Sequence, residues 1–439
     1  MLNQKMNPLI RIFAYIFIFV AYILFMNIYA PLGISWQDYH AQRIFNAVEF
    51  LKLNGYLSFY GYTIWHFCED CLLDAPYWKD KIYFSVNLLK LLPYVIINHF
   101  AGKEALFFLG PLVDKSLIFL CGTLISELLI KSTKSLTHLP PFFIGTACFA
   151  IFSLAPWTYQ MIIALWLEVY FLLFFLIGML AFSNNKTIFG YIAFFIAGFF
   201  HIQWGLLLAA YYCLFLAIKY LFIDEVYIKK YFPPFHGSQK YRIRIIFSLI
   251  LPVMILLFIR AFAQQYIDPG LGSSLVFRIG ISGNDIHNGG LLGALQFLGG
   301  FRLTQCFQGL GMNFLSGDLY MKIAVFNCLL SGAGMGVISI ISTFGIYLLV
   351  KHSKLGKQIF LPLLFALMFM ISFLQQSLSV HLMGYSFIFS AIFSSGIVML
   401  MISIQNRLSS PILGLVFSIP CIVGVLILSL RVSMIAPLG

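Results

Sequence analysis

The stretch from residue 382 to residue 404 reads LMGYSFIFSAIFSSGIVMLMISI and contains no charged side chain. At about 1.5 Å per residue, a helix of this length crosses the hydrocarbon core of a bilayer, which is roughly 30 Å thick. Similar apolar runs recur along the 439-residue chain, of which 61% is hydrophobic and only 10% is charged. Soluble domains carry roughly 25% charged residues, so this composition excludes a soluble globular enzyme.

We predict an all-α, polytopic membrane protein with about eleven transmembrane helices, forming a single domain over residues 1–439. The N-terminal run is too long for a cleaved signal peptide and is interpreted as the first span. The apolar runs lie near residues 10–30, 105–130, 141–156, 159–183, 188–201, 203–222, 245–264, 322–350, 359–375, 382–404 and 411–430.

The positive charge of the chain sets the predicted orientation. The formal net charge is +12, and twelve of the 27 Lys and Arg residues lie in five mostly short loops between the runs. This is the positive-inside pattern of membrane proteins, and it does not indicate nucleic-acid binding. With the N-terminus inside, residues 223–244 form a basic inner loop, and residues 31–104 and 265–321 form long outer loops. The other predicted inner loops contain Lys131, Lys134, Lys186, Lys351, Lys354, Lys357 and Arg407.

Two stretches are ambiguous in length. Residues 188–222 are too long for one straight span, and only two short spans keep the basic loop that follows on the inner side. We therefore predict a break at His201, Gln203 and Trp204. Residues 82–100 are apolar enough to insert into the bilayer. A span there would place every later loop on the opposite side of the membrane, so we predict an interfacial helix along the membrane.

The residues directly after the first span are Trp36-Gln37-Asp38-Tyr39-His40. They lead into a segment whose apolar residues recur at spacings of three and four from Ile44 to Leu51, which predicts an amphipathic helix on the bilayer surface. Asp38 at the start of this helix can cap its backbone amides. Alternatively, it can act as a general base that removes a proton from a sugar hydroxyl.

This arrangement resembles the GT-C superfamily of membrane glycosyltransferases. The resemblance consists of an acid just past the first span, interfacial helices in the first outer loop, about eleven spans and long outer loops. It implies a polyprenyl-phosphate sugar as the donor and Asp38 as the catalytic base. The paired acidic motif of the family is missing at this point, so the resemblance does not extend to metal binding.

Other polar residues on the predicted outer side are candidates for substrate binding. His201, Gln203, Gln376 and His381 would be costly in lipid and are expected to face protein or water. Arg fits phosphate oxygens well, and the cations nearest a lipid phosphate would come from the outer loops. The candidates for substrate contact in these loops are His40, Arg43, Glu69, Asp70, Arg278 and Arg302.

Cys68 and Cys71 form a Cys-x-x-Cys motif with His66 nearby, but the second ligand pair of a structural zinc site is absent from the sequence. The alternatives are a local disulfide or two ordinary thiols. Glu69 and Asp70 are either solvated loop charges or a second acidic group that could hold a divalent cation. No glycine-rich nucleotide motif occurs, so we expect no nucleotide cofactor.

The sequence therefore favours an inverting glycosyltransferase in the plasma or inner membrane, acting on its outer face with a lipid-linked sugar donor. A carrier or flippase for lipid-linked saccharides is an alternative, because it also needs a polar cavity among many spans. A polymerase or ligase of outer-face polysaccharide is another, because such enzymes use a long late loop like residues 265–321. The sugar, the acceptor and any protein partner stay open.

Overall fold

The structure is a computed structural model that describes residues 8–29, 39–57, 62–64, 82–159, 169–221, 239–264, 319–373, 387–408 and 411–434. Most of these residues are helical. The helices are α1 (Pro8–Tyr29), α2 (Tyr39–Asn54), α3 (Leu88–Thr133), α4 (Pro141–Leu154), α5 (Val169–Ser183), α6 (Thr187–Phe200), α7 (Ile202–Leu221), α8 (Gln239–Gln264), α9 (Leu319–His352), α10 (Lys354–Phe373), α11 (Phe387–Gln405) and α12 (Pro411–Met434). Two strands, β1 (Tyr62–Ile64) and β2 (Ile82–Asn87), form an antiparallel pair.

The apolar helices agree with the predicted helical membrane protein. Within the described ranges, three helical segments are long and apolar enough to cross a membrane: Leu91–Thr133, Leu329–His352 and Phe387–Gln405. Seven further apolar helical segments are shorter, between 10 and 17 residues. The count of about eleven spans therefore stays a prediction, as does the orientation.

The predicted break in the stretch 188–222 is confirmed. Helix α6 ends at Phe200 and α7 begins at Ile202, because His201 adopts an extended conformation with φ −149° and ψ 102°. Two glycines beside the break let α8 approach closely: a Cβ at Gly198 would lie 2.6 Å from Pro252 Cγ, and one at Gly205 would lie 3.2 Å from Val253 Cγ2. Small residues at helix contacts commonly serve this purpose in membranes.

The prediction of one interfacial helix over residues 82–100 was wrong in its bounds. Residues 82–87 form strand β2, and α3 continues without a loop from Leu88 into the predicted second span. The helix is interrupted at Gly102, whose φ of 82° and ψ of 177° lie outside the helical region and suit a residue without a Cβ. The sequence pattern missed the strand because its pairing with β1 is a contact between distant residues.

Helices α1 and α3 pack side by side in opposite directions. Near one end, the Tyr15 hydroxyl donates to Glu127 Oε1 at 3.1 Å. Near the other, Lys115 Nζ donates to Asn27 Oδ1 at 2.8 Å. Aromatic rings fill the space between these two contacts, with the rings of Phe19 and Phe119 5.1 Å apart. The polar side chains inside this pair of helices thus contact one another rather than lipid.

Helix α11 lies at the centre of the later helices and packs against α4 and α9. On the α4 side, Cys148 Sγ lies 3.8 Å from Ser394 Oγ, and the rings of Trp157 and Phe389 are 4.6 Å apart. On the α9 side, Gly345 and Gly396 meet so closely that a Cβ on either would overlap a backbone carbonyl of the other helix. The described part of α11 is therefore held by close backbone packing as well as by its apolar side chains.

Three loops that the charge rule predicts on one side lie together. Lys131 Nζ donates to the Asn184 side chain in the α5–α6 turn. Thr137 Oγ1 donates to Gln405 Oε1 at 3.2 Å, and Asn406 Nδ2 donates to the carbonyl of Leu136 at 2.6 Å. We call this region, residues 131–140, 183–187 and 405–408, the basic end.

Candidate functional site

Some of the predicted site residues lie within the described residues, and others lie outside them. His40 and Arg43 lie in the first turns of α2, and Gln203 lies in the first turn of α7, with their side chains outside the description. His201 alone among the predicted residues has a described side chain. Seven predicted residues lie outside the described residues: Asp38, Glu69, Asp70, Arg278, Arg302, Gln376 and His381.

His201 has a structural role at the helix break. Its side chain is buried, and its ring makes an edge contact with Phe171 at 6.4 Å between centroids. The backbone N–H of Trp204 donates to His201 Nδ1 at 3.4 Å, and the His201 carbonyl accepts from the Gly205 N–H at 3.0 Å. His201 thus caps the start of α7, where backbone N–H groups lack helical partners. Its predicted contact with substrate stays a prediction.

A buried acid and a buried cation lie next to each other on α3, where the helix meets α1 and its own first segment. Asp114 and Lys115 are 2% and 1% exposed, which is unusual for charged side chains. The Tyr94 hydroxyl, from the segment before Gly102, donates to Asp114 Oδ1. Lys115 bonds to Asn27 near the end of α1, as described above. This cluster of Asn27, Tyr94, Asp114 and Lys115 is the acid–lysine cluster.

The amphipathic helix α2 packs onto the same part of α3. Asn98 Nδ2 donates to Glu49 Oε1 at 2.7 Å, so α2 is hydrogen-bonded to the segment that carries Tyr94. The rings of Phe45 on α2 and Phe107 on α3 lie 5.5 Å apart, and Phe107 follows the interruption at Gly102, whereas Asn98 precedes it. Helix α2 therefore contacts α3 on both sides of this interruption.

The acid–lysine cluster has a free acceptor. Asp114 Oδ2 is buried and has no hydrogen-bond partner among the residues that the structure describes. A carboxylate oxygen without a donor is costly in a buried site, and charged groups inside membrane spans commonly mark functional positions. The arrangement can therefore accept a hydrogen bond or a proton at Oδ2, with the positive charge of Lys115 next to it in the chain.

Asp114, Lys115 and Glu127 are not among the residues predicted from the sequence, although all three fall within the run near residues 105–130. The signal was available, because charged residues inside an apolar span are rare and usually paired or functional. Their hydrogen-bond partners could not be predicted from the sequence, since Asn27, Tyr94 and Tyr15 lie at sequence separations of 20 to 112 residues.

The residues that suggest metal binding in the sequence belong to the predicted first outer loop. Across the described residues, no group of three or more His, Cys, Asp or Glu side chains is arranged to hold a metal ion. The Cys68 and Cys71 motif lies outside those residues. A divalent cation at Glu69 and Asp70 therefore stays a hypothesis of the sequence.

Replacing Tyr94 by Phe tests the hydrogen bond that holds Asp114. We expect the Tyr94→Phe variant to lose about 1–3 kcal/mol of stability, because a buried carboxyl loses its donor. Tyr212→Phe is the matched control, since the Tyr212 hydroxyl is buried without a partner among the described residues. Thermal unfolding in detergent measures both. Equal unfolding midpoints for the two variants would show that the Tyr94 bond contributes nothing.

The chain matches no protein-family model, no curated protein and no solved structure.

Proposed function

We propose that this chain is a membrane glycosyltransferase that moves a sugar from a polyprenyl-phosphate donor to an acceptor on the outer face of the membrane. The observation that supports the proposal is the acid–lysine cluster, together with the packing of α2 against the neighbouring part of α3. Asp38 directly precedes α2, so a base at that position is covalently tied to the helix that packs here.

In the proposed reaction, the Asp38 carboxylate removes the proton of an acceptor hydroxyl, and the resulting oxygen attacks the anomeric carbon of the donor sugar. The bond between that carbon and the phosphate oxygen breaks, and the electron pair leaves with the polyprenyl phosphate. Attack from the opposite side inverts the configuration at the anomeric carbon. Cations close to the leaving phosphate stabilise its charge, and Arg43, Arg278 and Arg302 are the proposed sources.

The acid–lysine cluster is proposed to support this site from the membrane side. Lys115 is held by Asn27, and Asp114 is held by Tyr94, so both side chains have fixed positions at the junction of α1 and α3. A preorganised pair of this kind stabilises polar substrate groups without rearranging during the reaction. His201, Gln203, Gln376 and His381 are proposed to contact the sugar or the acceptor.

A carrier for lipid-linked saccharides is the second candidate. The observation that favours it is the interruption between α6 and α7 at His201, since transporters often bind substrate at broken helices. A carrier would translocate the intact donor and would form no glycosidic bond.

One assay separates the two candidates. The purified protein in lipid vesicles is incubated with a radiolabelled polyprenyl-phosphate hexose and a lipid extract as acceptor, and the products are analysed by mass spectrometry. A transferase yields free polyprenyl phosphate and a heavier, labelled acceptor. Intact donor that has crossed the bilayer, with no labelled acceptor, would contradict the transferase and identify a carrier.

A further inference from the structure

A polar groove lies at the basic end, far along α3 from the acid–lysine cluster. Its volume is about 430 Å³, and it is lined by residues 134–138 and by the chain around Asn406 and Leu408. Hydrogen bonds fix both walls, because Thr137 bonds to Gln405 and Asn406 bonds to the Leu136 carbonyl. The groove is therefore built by contacts between two loops that are distant in the sequence.

The groove carries positive charge that the protein itself does not neutralise. Lys134 and His138 line it, and neither forms an ion pair or hydrogen bond with another described residue. None of the described lining residues is a carboxylate. Lys186 and Arg407 are exposed elsewhere at the basic end. The lining thus presents donors suited to an anion.

The position of the groove at the ends of two long apolar helices indicates which kind of anion it would bind. The groove is formed by the loop that follows α3 and by the end of α11. Each of these two helices contains an apolar segment long enough to cross a membrane. Groups at the end of such helices lie at the depth of lipid headgroups. Leu136 and Leu408 add apolar surface to the same lining. Basic pockets at the ends of membrane helices bind anionic headgroups, which are concentrated in the cytoplasmic leaflet.

We propose that this groove binds the phosphate headgroup of an anionic phospholipid, with Lys134 as its cationic contact and His138 as a further polar contact. The site is separate from the proposed transferase site, and it requires neither Asp38 nor the acid–lysine cluster. Its ligand is a structural lipid of the surrounding membrane and undergoes no reaction.

The test uses the full-length protein in a neutral detergent, titrated with phosphatidylglycerol or with phosphatidylcholine. Native mass spectrometry counts bound lipids, and thermal unfolding follows stabilisation. We expect phosphatidylglycerol to bind and stabilise, and the Lys134→Gln/His138→Gln variant to bind it at least about fivefold more weakly. Lys354→Gln is the matched control, because it removes one exposed lysine that does not line the groove.

One further variant and one further ligand distinguish a lipid site from the alternatives. Ser135→Trp fills the groove without changing the charge and is expected to reduce lipid binding as well. Inorganic phosphate alone is expected to give no stabilisation. Equal loss of binding in Lys354→Gln and in the double variant would overturn the proposal in favour of general surface attraction. Stabilisation by inorganic phosphate equal to that by the lipid would identify a free-phosphate site instead.

Discussion

Replacing Asp38 by Asn is expected to lower sugar transfer by about 10² to 10⁴-fold, the usual contribution of a general base. The amide has nearly the shape of the carboxylate but cannot take the proton of the acceptor hydroxyl. The attacking oxygen then stays protonated and weakly nucleophilic. Initial rates of transfer from a radiolabelled polyprenyl-phosphate hexose measure the effect in purified protein, and unfolding midpoints check that the variant is folded.

Two variants control this experiment. Asp38→Glu keeps a carboxylate and is expected to retain part of the rate, which a purely structural cap would not explain. Asp80→Asn removes another acid of the same predicted outer loop and is expected to leave the rate within about twofold. Turnover of Asp38→Asn at the wild-type rate would exclude Asp38 as the base.

Replacing Gly396 by Leu is expected to cause the largest loss of stability. A side chain at this position would overlap the backbone carbonyl of Ser342 on α9, and backbone atoms cannot move aside as a flexible side chain can. Overpacking usually costs about 1–3 kcal/mol, and we expect about 3 kcal/mol or more here because the two helices must separate. The measurements are the yield of folded protein and the midpoint of thermal unfolding in detergent.

Gly336→Leu is the matched control for this variant. Gly336 lies on α9, the partner helix, and a Cβ there would have no atom within 4 Å. We expect this variant to unfold close to the wild-type temperature, since the added side chain meets open space. If both leucine variants unfolded at the same lowered temperature, helix propensity or altered contact with detergent would explain the loss, and close backbone packing at Gly396 would not.

The local features of the chain could be predicted from its sequence. Apolar runs and the distribution of Lys and Arg predicted the helices, the break at His201 and the grouping of the loops near Lys131, Lys186 and Arg407. These features depend on residue spacing and on charge, both of which are visible in a single sequence.

Features that depend on distant pairs could not be predicted. The strand Ile82–Asn87 exists because it pairs with β1, and the position of Asp114 depends on Tyr94 across the interruption at Gly102. A sequence pattern reports what a segment tends to form, whereas these features depend on which segments meet. The acid–lysine cluster was therefore found only in the structure. The base at Asp38 is a prediction from the sequence, and the mutations described above test it.

The shortness of α6 has a consequence for the surrounding lipid. The helix has 14 residues and thus spans about 21 Å, while Ile188, Phe189 and Ile192 on its surface are exposed. As a predicted span, α6 would give the acyl chains beside this surface an apolar wall shorter than the roughly 30 Å of an average bilayer, and hydrophobic mismatch would then thin the membrane locally. A long-chain lipid substrate that approached along α6 would then bring its polar group deeper into the protein than it lies in undisturbed bilayer.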